Sequence, residues 1–271
     1  AYIAAQRAGV PVVIHEQNAR PGLANKVGAR RAAVVALTFP STPLAARSGR
    51  TVVTGLPLRA AIAELAARRQ ERDGAARARR EAAQRLGVDA EAPTLLVTGG
   101  SLGAQHVNES MTKAARALPD GVQVIHLTGR GKDAPVRAAI EEAGLTARWH
   151  VIDYLTTMED ALAVADLVVC RSGAGTVAEM EALGLPCMYV PLPIGNGEQR
   201  LNAADHVSVG GAQLIDDKDF TADFVSSNVF GLLGSTRLSD MAAASRSLGR
   251  AGAAGALAEL IMEQARKGEH E

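Results

Sequence analysis

The chain has 271 residues, with 29 basic and 29 acidic side chains, a sequence pI of about 7.2 and 3% aromatic residues. Zero formal net charge gives no global field to recruit nucleic acid, and so few aromatics make no base-stacking platform. The length suits one large domain or two moderate ones, and no apolar run approaches the roughly 20 residues that span a bilayer.

Ala1 to Gly9 reads as the tail of a helix ended by glycine, with no initial Met and no signal-peptide pattern. A fragment lacking N-terminal sequence is expected. A strand over Val10–Ile14 follows, and His15-Glu16-Gln17-Asn18 emerges at its carboxyl end, the edge where open α/β sheets bind ligands. After Pro21-Gly22 a short helix runs from Leu23 to Arg31, then strands at Ala33–Leu37 and Thr51–Thr54, and a hinge near Gly55-Leu-Pro57. From Arg59 to Leu86 runs an Ala/Arg/Glu helix interrupted at Asp73-Gly74. Seven arginines against four acids over 64–85 fit a solvated face better than an anionic partner.

Beyond Pro93 strands and helices alternate strictly. Strand Thr94–Thr98 leads through Gly99–Gly103 into a helix at Ala104–Ala117. Strand Val122–Leu127, helix Pro135–Ala143, strand Trp149–Ile152 and helix Met158–Val164 come next. Strand Leu167–Cys170 then turns at Arg171–Gly175 into a helix closed by Gly184 and Pro186. Strand Cys187–Val190, loop Pro191–Gly197, helix Gln199–Val209 and a last strand ending at Ile215 complete the pattern, and the remainder is helical with breaks near Gly234 and Gly249. Such alternation predicts an α/β fold whose parallel sheet is covered on both faces. A second Rossmann-like domain after an incomplete first is therefore expected.

The two cysteines, Cys170 and Cys187, fall in apolar strand runs and read as buried free thiols; neither they nor the histidines have zinc-site spacing. No metal or other cofactor is expected. Two glycine turns carry more chemistry. Gly99-Gly-Ser101-Leu-Gly103 and Gly173-Ala-Gly175-Thr-Val-Ala178 each join a buried strand to a helix start, where free N–H groups and the dipole favour an anion. The second formally matches a dinucleotide fingerprint, but it comes late in its domain and has no acid at the end of the next strand. Two such turns at one sheet edge would grip a diphosphate, with Glu179 placed to reach ribose hydroxyls. Glu198, Gln199 and Asn202 supply donors and acceptors for sugar hydroxyls. His15 is a candidate general base, a carboxylate or a group on the missing N-terminal part being the alternatives, and His126 and His150 read as structural.

Three separated motifs carry a family resemblance: His15-Glu-Gln-Asn-x3-Gly-x2-Asn-Lys26, Gly99-Gly-Ser-x-Gly-Ala104 and Arg171-Ser-Gly-Ala-x-Thr-Val-x-Glu179. In this order and spacing the chain resembles, over essentially its whole length, the MurG family of GT-B glycosyltransferases. The resemblance implies a GT-B fold of two Rossmann-like domains with parallel sheets, the first incomplete. It implies inverting transfer of N-acetylglucosamine from UDP-N-acetylglucosamine to lipid I, an undecaprenyl-linked muramyl-peptide acceptor, giving lipid II for peptidoglycan. The family works peripherally at the cytoplasmic side of the cell membrane, so Lys26, Arg30 and Arg31 are expected to meet anionic lipid. Expected divisions are a remnant acceptor-side domain at 1–56, a UDP-sugar domain at 57–252 and a helix at 253–271 packing back toward the first domain.

Carried over position by position, the resemblance assigns UDP-N-acetylglucosamine to Asn18, Arg59, Ser101, Leu155, Ala174, Gly175, Thr176, Val177, Ala178, Glu179 and Gln199. Leu155 would read uracil through its backbone, Ser101 would meet the diphosphate, and Gln199 and Asn18 would meet the sugar. Leu102, Gly175 and Glu198 stand where the family often has Gln, Leu and Gln, and Leu155-Thr156-Thr157-Met158 replaces Ile-Asp-Asp-Met. Two other readings stay open: a GT-B transferase for a different sugar or lipid acceptor, and a nucleotide-binding chain without turnover.

Overall fold

The computed structural model describes residues 1–100, 103–194 and 196–268. Helix α1 (Tyr2–Arg7), strand β1 (Val13–Glu16), helix α2 (Leu23–Gly28) and strands β2 (Val34–Leu37) and β3 (Arg50–Val53) come first. The strands form a parallel sheet, β1-β2-β3, with Val13 opposite Val34 and Val34 opposite Arg50. β1 starts later than the apolar run suggests. Val10 N–H is taken by the Ala5 carbonyl at the end of α1, and Pro11 has no N–H for a ladder. α2 stops at Gly28 instead of Arg31, where Gly28 packs so tightly that a Cβ would strike Tyr2 and Ile14.

The predicted long Ala/Arg helix is two: α3 (Ala60–Arg68) and α4 (Gly74–Leu86). Between them Asp73 takes a left-handed φ of 59°, and a Cβ on Gly74 would collide with the Arg68 carbonyl. The chain reverses there because glycine alone fits.

The larger unit contains β4 (Thr94–Thr98), α5 (Gln105–Lys113), β5 (Gln123–Leu127), α6 (Asp133–Glu142) and β6 (Trp149–Ile152). It continues through α7 (Met158–Val164), β7 (Leu167–Cys170), α8 (Ala174–Leu183), β8 (Cys187–Tyr189), α9 (Glu198–Asn202), α10 (Ala204–Ser208) and β9 (Ala212–Leu214). The helix expected over Gln199–Val209 divides at Ala203, where the hydrogen bonds Leu201 N–Gly197 O and Ala203 N–Gln199 O stretch to 3.4 and 3.3 Å. Short helices α11 (Ala222–Phe224) and α12 (Phe230–Leu232) flank a π turn at Val225–Val229, and α13 (Thr236–Leu248) and α14 (Ala253–Gly268) follow.

The six strands are parallel in the order β6-β5-β4-β7-β8-β9. Both faces are covered, which is why their sequences read as unbroken apolar runs. Leu96, Val168 and Cys170 share one core with α3, α4, α7 and α8, while Leu95, Val97, Leu167 and Val169 share the other with α5, α6 and the segments after β9. The chain runs outward from β4 through β5 to β6, then returns to the other side of β4 as β7. That reversal is the topological switch point, the crevice where such sheets bind ligands. The turns after β4 and β7 therefore stand side by side.

α14 runs back to the small sheet, where Leu257 and Leu260 pack on Val13, Val34 and Ala36, and Arg50 pairs with Glu263.

Candidate active site

A cleft of about 250 Å³ opens at the switch point. Its walls come from the ends of four strands and from α8: Thr98 and Gly100 at the end of β4, Leu127 and Gly129 at the end of β5, Asp153 to Leu155 after β6, Cys170 and Arg171 at the end of β7, and Thr176 and Glu179 on α8. Gly103 makes the β4 turn possible. It sits at φ +68°, with the Thr128 carbonyl where its Cβ would be. Ser101 lies outside the described residues, as do Leu102 and Gly195.

α8 begins at Ala174, two residues before the sequence suggests, because Gly173 is the extended N-cap residue (φ −63°, ψ 149°). The first turn thus includes Gly175. Gly173 offers no side-chain cap, and the first internal bond is Val177 N–H to the Gly173 carbonyl at 3.0 Å. Among the described residues, the N–H groups of Ala174, Gly175 and Thr176 have no protein acceptor. Three free donors at the positive end of a dipole make this turn an anion cradle. Val177 and Ala178 are buried and the Val177 N–H is spent on the Gly173 carbonyl, so the free donors of this turn are those of the three residues before them.

Glu179 is one turn further along, its side chain 14% exposed. Arg59, from the linker just before α3, donates Nε to Glu179 Oε1 at 2.8 Å and Nη2 to Oε2 at 3.0 Å. This hydrogen-bonded pairing raises the Arg59 pKa, against a smaller opposing effect of burial. Both carboxylate oxygens are therefore held by one guanidinium. Arg171 also lines the cleft, but its Nη1 donates to the Val190 and Pro191 carbonyls and to Asp217, so its charge is neutralised within the fold. Arg130 stacks 3.5 Å from the centre of the Tyr154 ring at the rim.

Arg59, Leu155, Thr176 and Glu179 thus meet in one cleft. Asn18 and Gln199 are beside it, not in its walls. Gln199 Oε1 accepts the Leu192 N–H at 3.0 Å and steadies the Pro191–Gly197 loop, while Asn18 reaches Asn202 across the two sheets' domains. His15 Nε2 is 2.9 Å from the Gly55 carbonyl, so this nitrogen ties β1 to the linker. Glu16, buried beside it, accepts N–H groups from Asn18 (3.1 Å), Gly22 (2.9 Å) and the Asn25 amide (2.9 Å). His126 is fully buried against Asn108 and Trp149, and burial lowers its pKa to about 3.

Sequence reasoning did not single out Tyr154, Arg130 or Thr98 as site residues. Each sits at the carboxyl end of a predicted strand, which was the available signal.

The profile of the glycosyltransferase family 28 C-terminal domain matches residues 94–236, and that of the family 28 N-terminal domain matches residues 1–37. A UDP-N-acetylglucosamine–N-acetylmuramyl-(pentapeptide) pyrophosphoryl-undecaprenol N-acetylglucosamine transferase of Bifidobacterium longum is 48% identical over 247 residues, 86% of this chain and 62% of its own length. The Streptomyces coelicolor protein of the same name is 45% identical over 97% of this chain and 69% of its own. This chain spans about three fifths of the Bifidobacterium relative. Among solved structures, MurG of Acinetobacter baumannii superposes with a TM-score of 0.76 at 29% identity, covering 97% of this chain and 69% of that one. A UDP-GlcNAc 2-epimerase from Neisseria meningitidis, bound to UDP-GlcNAc, shares the fold at a TM-score of 0.63 and 14% identity, over 97% and 72% of the two chains.

Proposed function

Because this chain belongs to glycosyltransferase family 28, we propose that it carries the donor site of an enzyme moving N-acetylglucosamine from UDP-N-acetylglucosamine to a lipid-linked muramyl-peptide acceptor. Its fold is GT-B, parallel α/β. The observation that carries the reading is the uncapped start of α8 at the switch point, with Glu179 one turn above it. Diphosphate would meet the N–H groups of Ala174, Gly175 and Thr176 together with the Ser101 hydroxyl. Glu179 would accept from the ribose hydroxyls, and the Leu155 backbone would meet uracil. Gln199 and Asn18 would flank the sugar.

In the reaction, the acceptor hydroxyl oxygen bonds to C1 of the sugar as the C1–O bond to the diphosphate breaks. The bond's electron pair stays on UDP, and the acceptor proton passes to a base. Attack from the face opposite the leaving group inverts C1. The α8 dipole and its free N–H groups act on the charge that grows on the diphosphate, with up to about 2 kcal/mol expected for a partly buried helix end. His15 would act as that base through Nδ1, because its Nε2 faces the Gly55 carbonyl.

Membrane attachment is proposed to be peripheral, at the cytoplasmic face. No helix among the described residues is long and apolar enough to cross a membrane. α2 exposes Leu23 (79%) and Val27 beside Lys26, with Arg30 and Arg31 following. Reversing those three charges should abolish binding to anionic liposomes; unchanged binding would remove this face from the proposal.

The decisive experiment is calorimetry of UDP-N-acetylglucosamine with wild type and Glu179→Ala. Two hydrogen bonds to a carboxylate predict about a hundredfold loss of affinity. Equal affinity would take Glu179 out of the site, and binding of NAD in place of UDP would overturn the nucleotide-sugar reading. Incubation with lipid I and analysis of the product separates this acceptor from another.

A further inference from the structure

Asn202, the last residue of α9, is 1% exposed, and its amide is used at both ends. Oδ1 accepts the Ala19 N–H at 2.9 Å. Nδ2 donates to Asn18 Oδ1 and to the Ser172 carbonyl, each at 3.4 Å. One side chain thereby joins the loop leaving β1, the turn between β7 and α8, and the helix that carries Gln199 one turn earlier. Other bonds between the small sheet's domain and this region, Ser41 N–H to Asp205 and Arg20 to the Asn196 carbonyl, are exposed, where water replaces them at little cost.

We propose that Asn202 is a positioning residue for the transferred sugar, acting through Asn18; this rests on the donor-site reading above. An asparagine amide presents an acceptor at one end and two donors at the other. With its Oδ1 held by Asn202, Asn18 keeps its Nδ2 group for a ligand, and no protein acceptor engages that group among the described residues. Asn202 therefore fixes which end of the Asn18 amide meets the sugar: a donor, matched to a hydroxyl oxygen of N-acetylglucosamine. Its bond to Ser172 sets that donor relative to the turn that would hold the diphosphate. The Ala19 bond keeps the loop from sliding.

The test is calorimetry on the 271-residue chain with UDP and with UDP-N-acetylglucosamine, using wild type, Asn18→Ala, Asn202→Asp and the double variant. Asn202→Asp keeps an oxygen for Ala19 N–H and removes both donated bonds. The expected result is UDP affinity within twofold of wild type, UDP-N-acetylglucosamine affinity about three- to tenfold weaker, and a double variant no weaker than Asn18→Ala alone. Equal weakening toward both ligands, or losses that multiply in the double variant, overturns the inference and leaves Asn202 a purely structural tie. Asn18→Asp guards against an unfolded Asn202 variant, because it keeps the acceptor that Asn202 holds and removes only the free donors. It should weaken the sugar nucleotide as Asn18→Ala does, and wild-type affinity in it would also overturn the inference. A wild-type chain that binds neither ligand defeats the donor-site reading itself, a result distinct from all of these.

Discussion

Helix α8 carries two glutamates, two residues apart, in opposite situations. Glu179 faces the cleft and has both oxygens on the Arg59 guanidinium. Glu181 faces inward, with a buried Oε1 that has no hydrogen-bond partner among the described residues, and burial pushes its pKa up to about 8. Asp205 pushes it further, and Arg250 partly offsets both. Asp205 also receives the Ser41 N–H from the small sheet's domain, so this face of α8 lies toward the domain junction. The same side chain on one helix is thus an ion-paired, exchangeable partner on one face and a half-buried group with a raised pKa on the other. Environment decides which.

The largest expected effect comes from breaking the inward half of this comparison. Between about pH 4.5 and 8 the unfolded chain holds Glu181 ionised while the folded chain holds it protonated. The native state binds the extra proton, so stability falls as pH rises through that window. Glu181→Gln removes the titration. The variant should match wild type near pH 4.5 and exceed it at pH 8 by on the order of 3 kcal/mol, since each pH unit of this linkage is worth up to about 1.4 kcal/mol. Urea unfolding at the two pH values reads this directly. A difference independent of pH would mean that Glu181 is ionised in the fold.

The outward half is tested with Arg59→Gln. Arg59 holds the oxygens that ribose hydroxyls would need, so a nucleoside bound as proposed would have to displace it. The side chain is 57% exposed, and an ion pair that open is worth no more than about 1 kcal/mol. Uridine, which has no phosphate, should therefore bind the variant up to about fivefold more tightly. UDP should gain less or lose affinity, because the displaced guanidinium is then free to meet the phosphates. Weaker uridine binding to Arg59→Gln would show that Arg59 supports the base or ribose instead of competing.

Much of this was legible before any coordinates. Strictly alternating apolar runs and glycine-closed helices foretold a parallel sheet covered on both faces, because a strand buried on two sides has no polar face to show. The α8 turn could be read because strand, small residues and helix are adjacent in sequence. Three features could not be. The Arg59–Glu179 pair joins residues 120 apart, and the Asn202–Ala19 bond joins residues 183 apart, so neither leaves a local pattern. The break at Asp73 was visible, but the division at Ala203 was not, since neither glycine nor proline marks it. His15 was singled out for its chemistry, and only the fold shows its Nε2 turned to the Gly55 carbonyl.

The smallest effect is expected at Gly175, which separates what α8 needs for folding from what it offers to a ligand. Among the described residues a Cβ there would meet nothing nearer than Leu56 Cδ2 at 4.0 Å, an ordinary contact, and the residue is in helical first-turn geometry with no positive φ. None of the described residues demands glycine here. Gly175→Ala keeps the backbone N–H that the anion cradle requires and removes the entropy that glycine loses on folding. A gain of about 0.5 kcal/mol in unfolding free energy is expected, at the low end of the helix-interior range because the site is in the first turn. UDP affinity should stay within about twofold, since a backbone donor is indifferent to the side chain it carries. Thermal unfolding and calorimetry on the one variant give both numbers. If stability rises but UDP binding falls tenfold, the ligand approaches α8 closely enough to contact the Gly175 Cα, and the cradle is tighter than the free N–H groups alone require.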